Sequence, residues 1–256
     1  MQLKATLALG ALLMSGAAFA QTKAPEPDYA LSYNVGAVTE YRYRGISQSG
    51  KNPALQFGAD VAHKSGFYLG TWGSTISWIK DSSIPGVASA KGPLELDVYG
   101  GYKGAFNDLV SFDVGGLQYW YPGNSYKNIT GENANTFELY GGVTVSVVTL
   151  KYSHSLTNLF GTPNSKGSGY LDLSATFDLG NGLSLVPHVG AQKIRNFDTY
   201  RDWSLTLAKD VNGLVISGAL VGTDWKQHFD APYLLPGSGS RDLAAPALVV
   251  GLKKNF

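Results

Sequence analysis

The chain has no cysteine in its 256 residues. Disulfide scaffolds, thiolate metal sites and cysteine nucleophiles are excluded together. Charge is also scarce: Asp, Glu, Lys and Arg make up 15%, against about 25% in ordinary soluble proteins. Neither sign dominates, with 20 Lys and Arg against 19 Asp and Glu. The basic excess of a nucleic-acid binder is missing, so no nucleic-acid partner is expected. Beyond residue 20 there is no run of about 20 apolar residues, which excludes a bundle of membrane helices. No GxSxG, HExxH or paired catalytic carboxylate spacing occurs. No enzyme activity, metal or cofactor is therefore expected. What is abundant is glycine, at 32 residues, and tyrosine, at 15. Such an aromatic content does not suit a disordered chain.

Residues 1–20 read as a secretory signal peptide. Lys4 precedes an apolar run from Ala5 to Met14, and Ala18-Phe19-Ala20 is an A-x-A cleavage site. Residues 21–28, with Pro25 and Pro27, read as a periplasmic leader. The domain proper is 29–256.

From Tyr29 onward the dominant period is two. Leu31, Tyr33, Val35 and Ala37 alternate with Ser32, Asn34, Gly36 and Val38. Leu94, Leu96 and Val98 alternate with Glu95, Asp97 and Tyr99, and Leu171, Leu173 and Ala175 with Asp172, Ser174 and Thr176. This period sends successive side chains to opposite faces of a strand. About twelve such segments occur, near 29–44, 53–63, 66–78, 94–104, 108–120, 135–146, 148–156, 169–178, 182–192, 200–209, 213–223 and 244–256. Residues 66–78 have aromatics on both parities. Residues 108–120 are expected to slip at Gly115-Gly116, as a bulge would cause.

The connections alternate in length. Those after even segments are short, and two of them end in Asn-Gly, a hairpin signal. Those after odd segments are long, as at 79–93, 121–134 and 224–243. Short turns at one end and long loops at the other are the asymmetry of outer-membrane barrels. Segments of 9–13 residues suit a tilted crossing of the hydrocarbon, which takes about 9–11. Closure removes the sheet edges that lipid cannot satisfy. The expected fold is an all-β, closed, antiparallel up-and-down transmembrane β-barrel of about twelve strands. It is expected in the outer membrane of a Gram-negative bacterium, in contact with outer-membrane lipids and with both termini periplasmic. The last strand carries Leu248, Val250, Leu252, Lys254 and Phe256 on one face. Its terminal Phe256 is the expected mark for the barrel-assembly machinery.

Several stretches resemble the TorF-like family of proteobacterial porins. The clearest is 35–78, with its EYRYRGISQ core (Glu40 to Gln48) and GFYLGTWGS run (Gly66 to Ser74). ELDVYGGY (Glu95 to Tyr102), TFELYGGV (Thr136 to Val143), YLDLSATF (Tyr170 to Phe177) and GLSLVPHVG (Gly182 to Gly190) are similar too. The resemblance implies an outer-membrane barrel. It carries over no catalytic residue and no solute.

With the apolar parity in lipid, the polar parity encloses the lumen. The expected pore-lining set is Glu40, Arg42, Arg44, Asp60, Glu95, Asp97, Tyr99, Asp113, Glu138, Tyr140, Asp172 and Asp202. An arginine pair at the outer end of strand 1 would then face a crescent of carboxylates. Either this sets a transverse field at a constriction, or the charges simply pair and fill a narrow lumen. Twelve strands about 4.8 Å apart, tilted about 40°, give a diameter of roughly 24 Å and a lumen of roughly 14 Å before loops enter. The expected function is passive diffusion of ions or small polar solutes, with weak cation preference because carboxylates outnumber cations. Tyr41, Tyr43, Trp78, Trp120, Trp203 and Trp225 are expected in an interfacial girdle. Tyr99 and Tyr140 are the candidates for stacking on sugars. The rival readings are a non-conducting structural or loop-binding barrel, and an outer-membrane hydrolase using His154 beside Ser153 and Ser155.

Overall fold

The computed structural model describes residues 27–225 and 242–256. The expected signal peptide, most of the leader and residues 226–241 of the 224–243 loop lie outside the described residues. Twelve strands form the wall: β1 Tyr29–Val38, β2 Ala54–His63, β3 Phe67–Thr75, β4 Leu94–Ala105, β5 Val110–Trp120 and β6 Thr136–Val145. They continue as β7 Val148–Ser155, β8, β9 Leu183–Lys193, β10 Thr199–Val211, β11 Leu214–Thr223 and β12 Ala247–Asn255. Strand β8 is two stretches, Gly169–Ala175 and Phe177–Gly180, separated at Thr176. Each strand pairs antiparallel with the next in sequence, and β12 pairs with β1 through Asn34–Asn255 to Val38–Gly251. The sheet is therefore a closed antiparallel barrel with no free edge. Among the described residues no helix is long and apolar enough to cross a membrane.

Alternation becomes a two-faced wall. Leu31, Tyr33 and Val35 on β1, and Trp203, Leu205 and Leu207 on β10, are 42–64% exposed. Their sequence neighbours Asn34, Ser204 and Thr206 face the interior. An exposed apolar belt of this extent on a monomer matches an apolar surrounding. The short connections, including the Asn181-Gly182 and Asn212-Gly213 turns, lie at one end. The long connections lie at the other, and β1 starts and β12 ends at the short-turn end.

Three expectations on boundaries are corrected. The first strand does not run to residue 44 but ends at Val38, where the chain leaves the wall. The 66–78 segment ends at Thr75, and Trp78 opens a four-residue helix, α1 (Trp78–Asp81). No slip occurs at Gly115-Gly116: both pair in unbroken register with β4 and β6. The glycine at 115 instead makes room, since a Cβ there would lie 2.5 Å from the Gly100 carbonyl oxygen and 2.6 Å from the Tyr140 hydroxyl. The register shift falls between Asp178 and Gly180.

Candidate functional site

After Val38 the chain turns into the barrel. Thr39 anchors the exit, its N–H donating to Val250 O at 2.9 Å while its Oγ1 accepts from Val250 N–H at 3.0 Å. A small hairpin follows, Arg42–Tyr43 paired with Ile46–Ser47. Its turn needs positive φ at Arg44 (45°) and Gly45 (82°), which glycine supplies freely and arginine adopts under constraint. The hairpin is then tied to the wall. Tyr41 donates its hydroxyl to Glu95 Oε1 at 2.7 Å. Tyr43 and Tyr119 share a hydrogen bond of 2.7 Å. Arg44 meets Glu138 at 2.8 Å, bonds Gln192, and lays its guanidinium over Tyr170 at 4.2 Å. Arg42 pairs with Glu40 at 3.0 Å and donates to Gly45 O at 2.9 Å.

The hairpin sits under a buried apolar cluster at the long-loop end. Ile79, Leu159, Phe160 and Tyr126 are almost without exposure, and Trp78 packs edge-on against Tyr121 and Tyr126 at 5.4 and 5.0 Å. These side chains come from the connections after β3, β5 and β7, so the long loops supply a core that the wall alone lacks. Burial, reinforced by the carboxylates of Glu95 and Asp97, holds the phenols of Tyr41 and Tyr121 far above their ordinary pKa. Both stay neutral hydrogen-bond donors.

All twelve residues expected to line the pore face the interior, in two different settings. Glu40, Glu95, Asp97, Glu138 and Asp202 are buried beneath the hairpin or beside it. Asp97 Oδ1 there has no hydrogen-bond partner among the described residues. Arg42 and Arg44 belong to the hairpin, not to the strand wall, because β1 stops early. Lower on the wall, Tyr99 donates to Asp60 at 2.6 Å, and Tyr68 donates to Asp113 at 2.5 Å and contacts the Tyr140 hydroxyl. Lys103 sits over the Tyr68 ring at 4.2 Å and Lys151 over Tyr140 at 3.9 Å. The Tyr140 ring is thus covered by Lys151, which corrects its assignment as an open stacking platform, whereas Tyr99 is held through its hydroxyl alone. Across the lumen, Asp172 and His188 are 2.8 Å apart, and Tyr170 bridges His188 and Asp202 at 3.2 and 3.1 Å.

The girdle expectation is corrected in part. Trp120 and Trp203 face outward, 46% and 44% exposed. Tyr41, Tyr43 and Trp78 belong to the interior cluster or its edge, and Trp225 packs against it. His154 points outward near the Tyr152 hydroxyl, while Ser153 and Ser155 are buried inside. Sequence reasoning missed Trp72, Tyr170, His188 and Gln192 as interior partners. Parity alone carried the signal, since each shares the inward parity of its strand.

Two neighbouring cavities remain inside the wall. One of about 470 Å³ fills the short-turn half and is lined by Asn34, Gln56, Trp72 and the hydroxyl side chains of β8–β11. The other, about 350 Å³, runs beside Arg42–Gly45 toward the long-loop end. Both include Asp172, His188, Ser204 and Thr206.

A family model described as "Bacterial protein of unknown function (Gcw_chp)" matches residues 22–256. None of the curated proteins compared with the chain matches it. Among solved structures the fold is similar to a KdgM porin, with a TM-score of 0.56 at 10% identity, covering 88% of this chain and 99% of that one. A KdgM porin in complex with disordered oligogalacturonate gives 0.55 at 10% identity, covering 88% and 98%. A NanC porin gives 0.52 at 10% identity, covering 89% and 99%. At such identity the likeness is one of fold: the chain is built as a porin-like transmembrane β-barrel.

Proposed function

Because the chain belongs to the Gcw_chp family, whose description names no activity, its role has to be read from the barrel, and we propose that it is a porin-like channel of the bacterial outer membrane. It passes ions and small polar solutes by diffusion. The observation that carries this reading is the pairing of an apolar exterior with an interior of polar and charged side chains that encloses two neighbouring cavities. The resemblance of Glu40 to Gln48 and Gly66 to Ser74 to TorF-like porins supports it, as does the fold shared with KdgM and NanC porins. In this reading residues 1–20 are the signal peptide, the short turns and both termini lie in the periplasm, and the barrel-assembly machinery engages the strand ending at Phe256. The twelve interior residues named above flank the solute path.

Weak cation preference follows from the inward charges. Carboxylates outnumber cations there, and each guanidinium is held by a carboxylate, as Lys103 and Lys151 are held over tyrosine rings. In a planar bilayer under a KCl gradient, the reversal potential is expected to carry the cation-selective sign. A clear anion-selective sign would remove this assignment.

The buried cluster at the long-loop end favours one second reading, a barrel closed at rest by its hairpin. Zero current from refolded wild type, with current restored by deleting 40–48, selects that reading over the open channel. No hydrolase is proposed: His154 and its flanking serines lie on opposite faces of the wall.

A further inference from the structure

The two ends of the lumen use their polar groups differently. Near the hairpin the charged and phenolic side chains bond mainly to one another. In the larger cavity Asp172 and His188 pair, and the neutral groups do not. Six neutral hydroxyls line it, Ser204, Thr206 and Ser217 among them, with the amides of Asn34 and Gln56 on the facing strands. None of these side chains has a protein hydrogen-bond partner among the described residues. Each amide offers donors and an acceptor together, and each hydroxyl can act as either. Trp72 lines the same space, fixed from above by an edge contact to Tyr41 at 5.3 Å. The indole is partly buried against the loop-end cluster, and the surface it turns to the cavity is an apolar, aromatic one among mixed polar and aliphatic side chains. At about 470 Å³ the cavity falls within the roughly 300–1,000 Å³ of small-molecule sites.

Charge narrows the ligand. A polyanion would find both guanidiniums already on Glu40 and Glu138, and the one lysine that lines this cavity, Lys253, within electrostatic reach of Asp210 and Asp60. A cation would find Asp172 already on His188. What stays open is neutral hydrogen-bonding capacity beside one aromatic ring, which matches the alternating hydroxyl edges and C–H faces of a sugar. Deepening the channel reading and resting on it, we infer that the short-turn half of the lumen is a binding site for uncharged saccharides, with Trp72 as its stacking platform and Asn34 and Gln56 as amide contacts. It differs in this from the porin solved with oligogalacturonate, whose ligand is anionic.

The test uses the full mature chain refolded in detergent, with maltose, digalacturonate and glucosamine as probes. Calorimetry reads binding, and block of KCl current in planar bilayers reads occupancy during conduction. Maltose is expected to bind and block more tightly than either charged sugar. Trp72→Ala is expected to weaken maltose by about tenfold, the equivalent of about 1.4 kcal/mol, whereas Trp72→Phe keeps most of the affinity. Asn34→Ala, which leaves the aromatic contact to Tyr41 intact, is expected to weaken it by a smaller factor. Tighter binding of digalacturonate, or maltose affinity unchanged in both Trp72→Ala and Asn34→Ala, would overturn the site. Failure of the wild type to conduct, with maltose still bound in calorimetry, would overturn the channel reading and leave the saccharide site standing.

Discussion

The long-loop half and the short-turn half of this lumen are enclosed by the same twelve strands, yet they are built on different physics. In the first, loops bring tryptophans, tyrosines and isoleucines inside, and nearly every charge has a counter-charge or phenol. Glu138 and Arg44 are each under a tenth exposed and 2.8 Å apart. In the second, the wall carries serine, threonine and amides around open space. A buried ion pair is retained only where both partners remain, because an orphaned charge in low dielectric is very costly. A neutral hydroxyl facing water is cheap to remove. The difference teaches that side-chain packing and pairing are concentrated at one end, and that open space lined by neutral groups is left at the other.

That contrast can be broken at graded points. Arg44→Ala leaves Glu138 buried without its partner, and about 3–5 kcal/mol of stability is expected to go. Denaturant unfolding in detergent measures the loss, and an accompanying rise in single-channel conductance would locate it at the hairpin. Ile79→Ala opens a hole in the loop-end cluster, where Ile79 has no exposure. A loss of about 2–5 kcal/mol is expected, depending on how far the loops relax. Gly115→Val drives a side chain against the Gly100 carbonyl oxygen and the Tyr140 ring, with an expected loss of about 1–3 kcal/mol from overpacking. Unchanged stability there would mean that both the ring and the β4 backbone give way freely. Ser217→Ala in the open half is expected to stay within about 0.5 kcal/mol of wild type. A loss comparable to Ile79→Ala would erase the distinction between the halves.

Much of this architecture was legible along the chain. The alternation Leu31, Tyr33, Val35 against Ser32, Asn34, Gly36 marks the two faces of β1, and Asn181-Gly182 and Asn212-Gly213 mark tight turns. Legibility failed where alternation continued past the end of a strand. Residues 39–44 keep the period of two, Thr39, Tyr41, Tyr43 against Glu40, Arg42, Arg44, so they read as more wall. In the structure they enter the lumen as a hairpin, because the turn at Arg44-Gly45 folds them back and Glu138, Glu95 and Tyr119 on distant strands hold them. Tyr140 failed for a related reason. Parity places a ring in the interior, and says nothing about whether Lys151 already occupies it.

The number of strands, their in-and-out faces, the closure of the sheet and the unequal ends follow from local pattern, because a period of two and a tight turn are properties of neighbouring residues. Which half is filled and which stays open depends on contacts such as Arg44 with Glu138 and Tyr41 with Glu95, 94 and 54 residues apart. Such pairings exist only once the barrel has closed and brought opposite walls to face one another, and no local period encodes them.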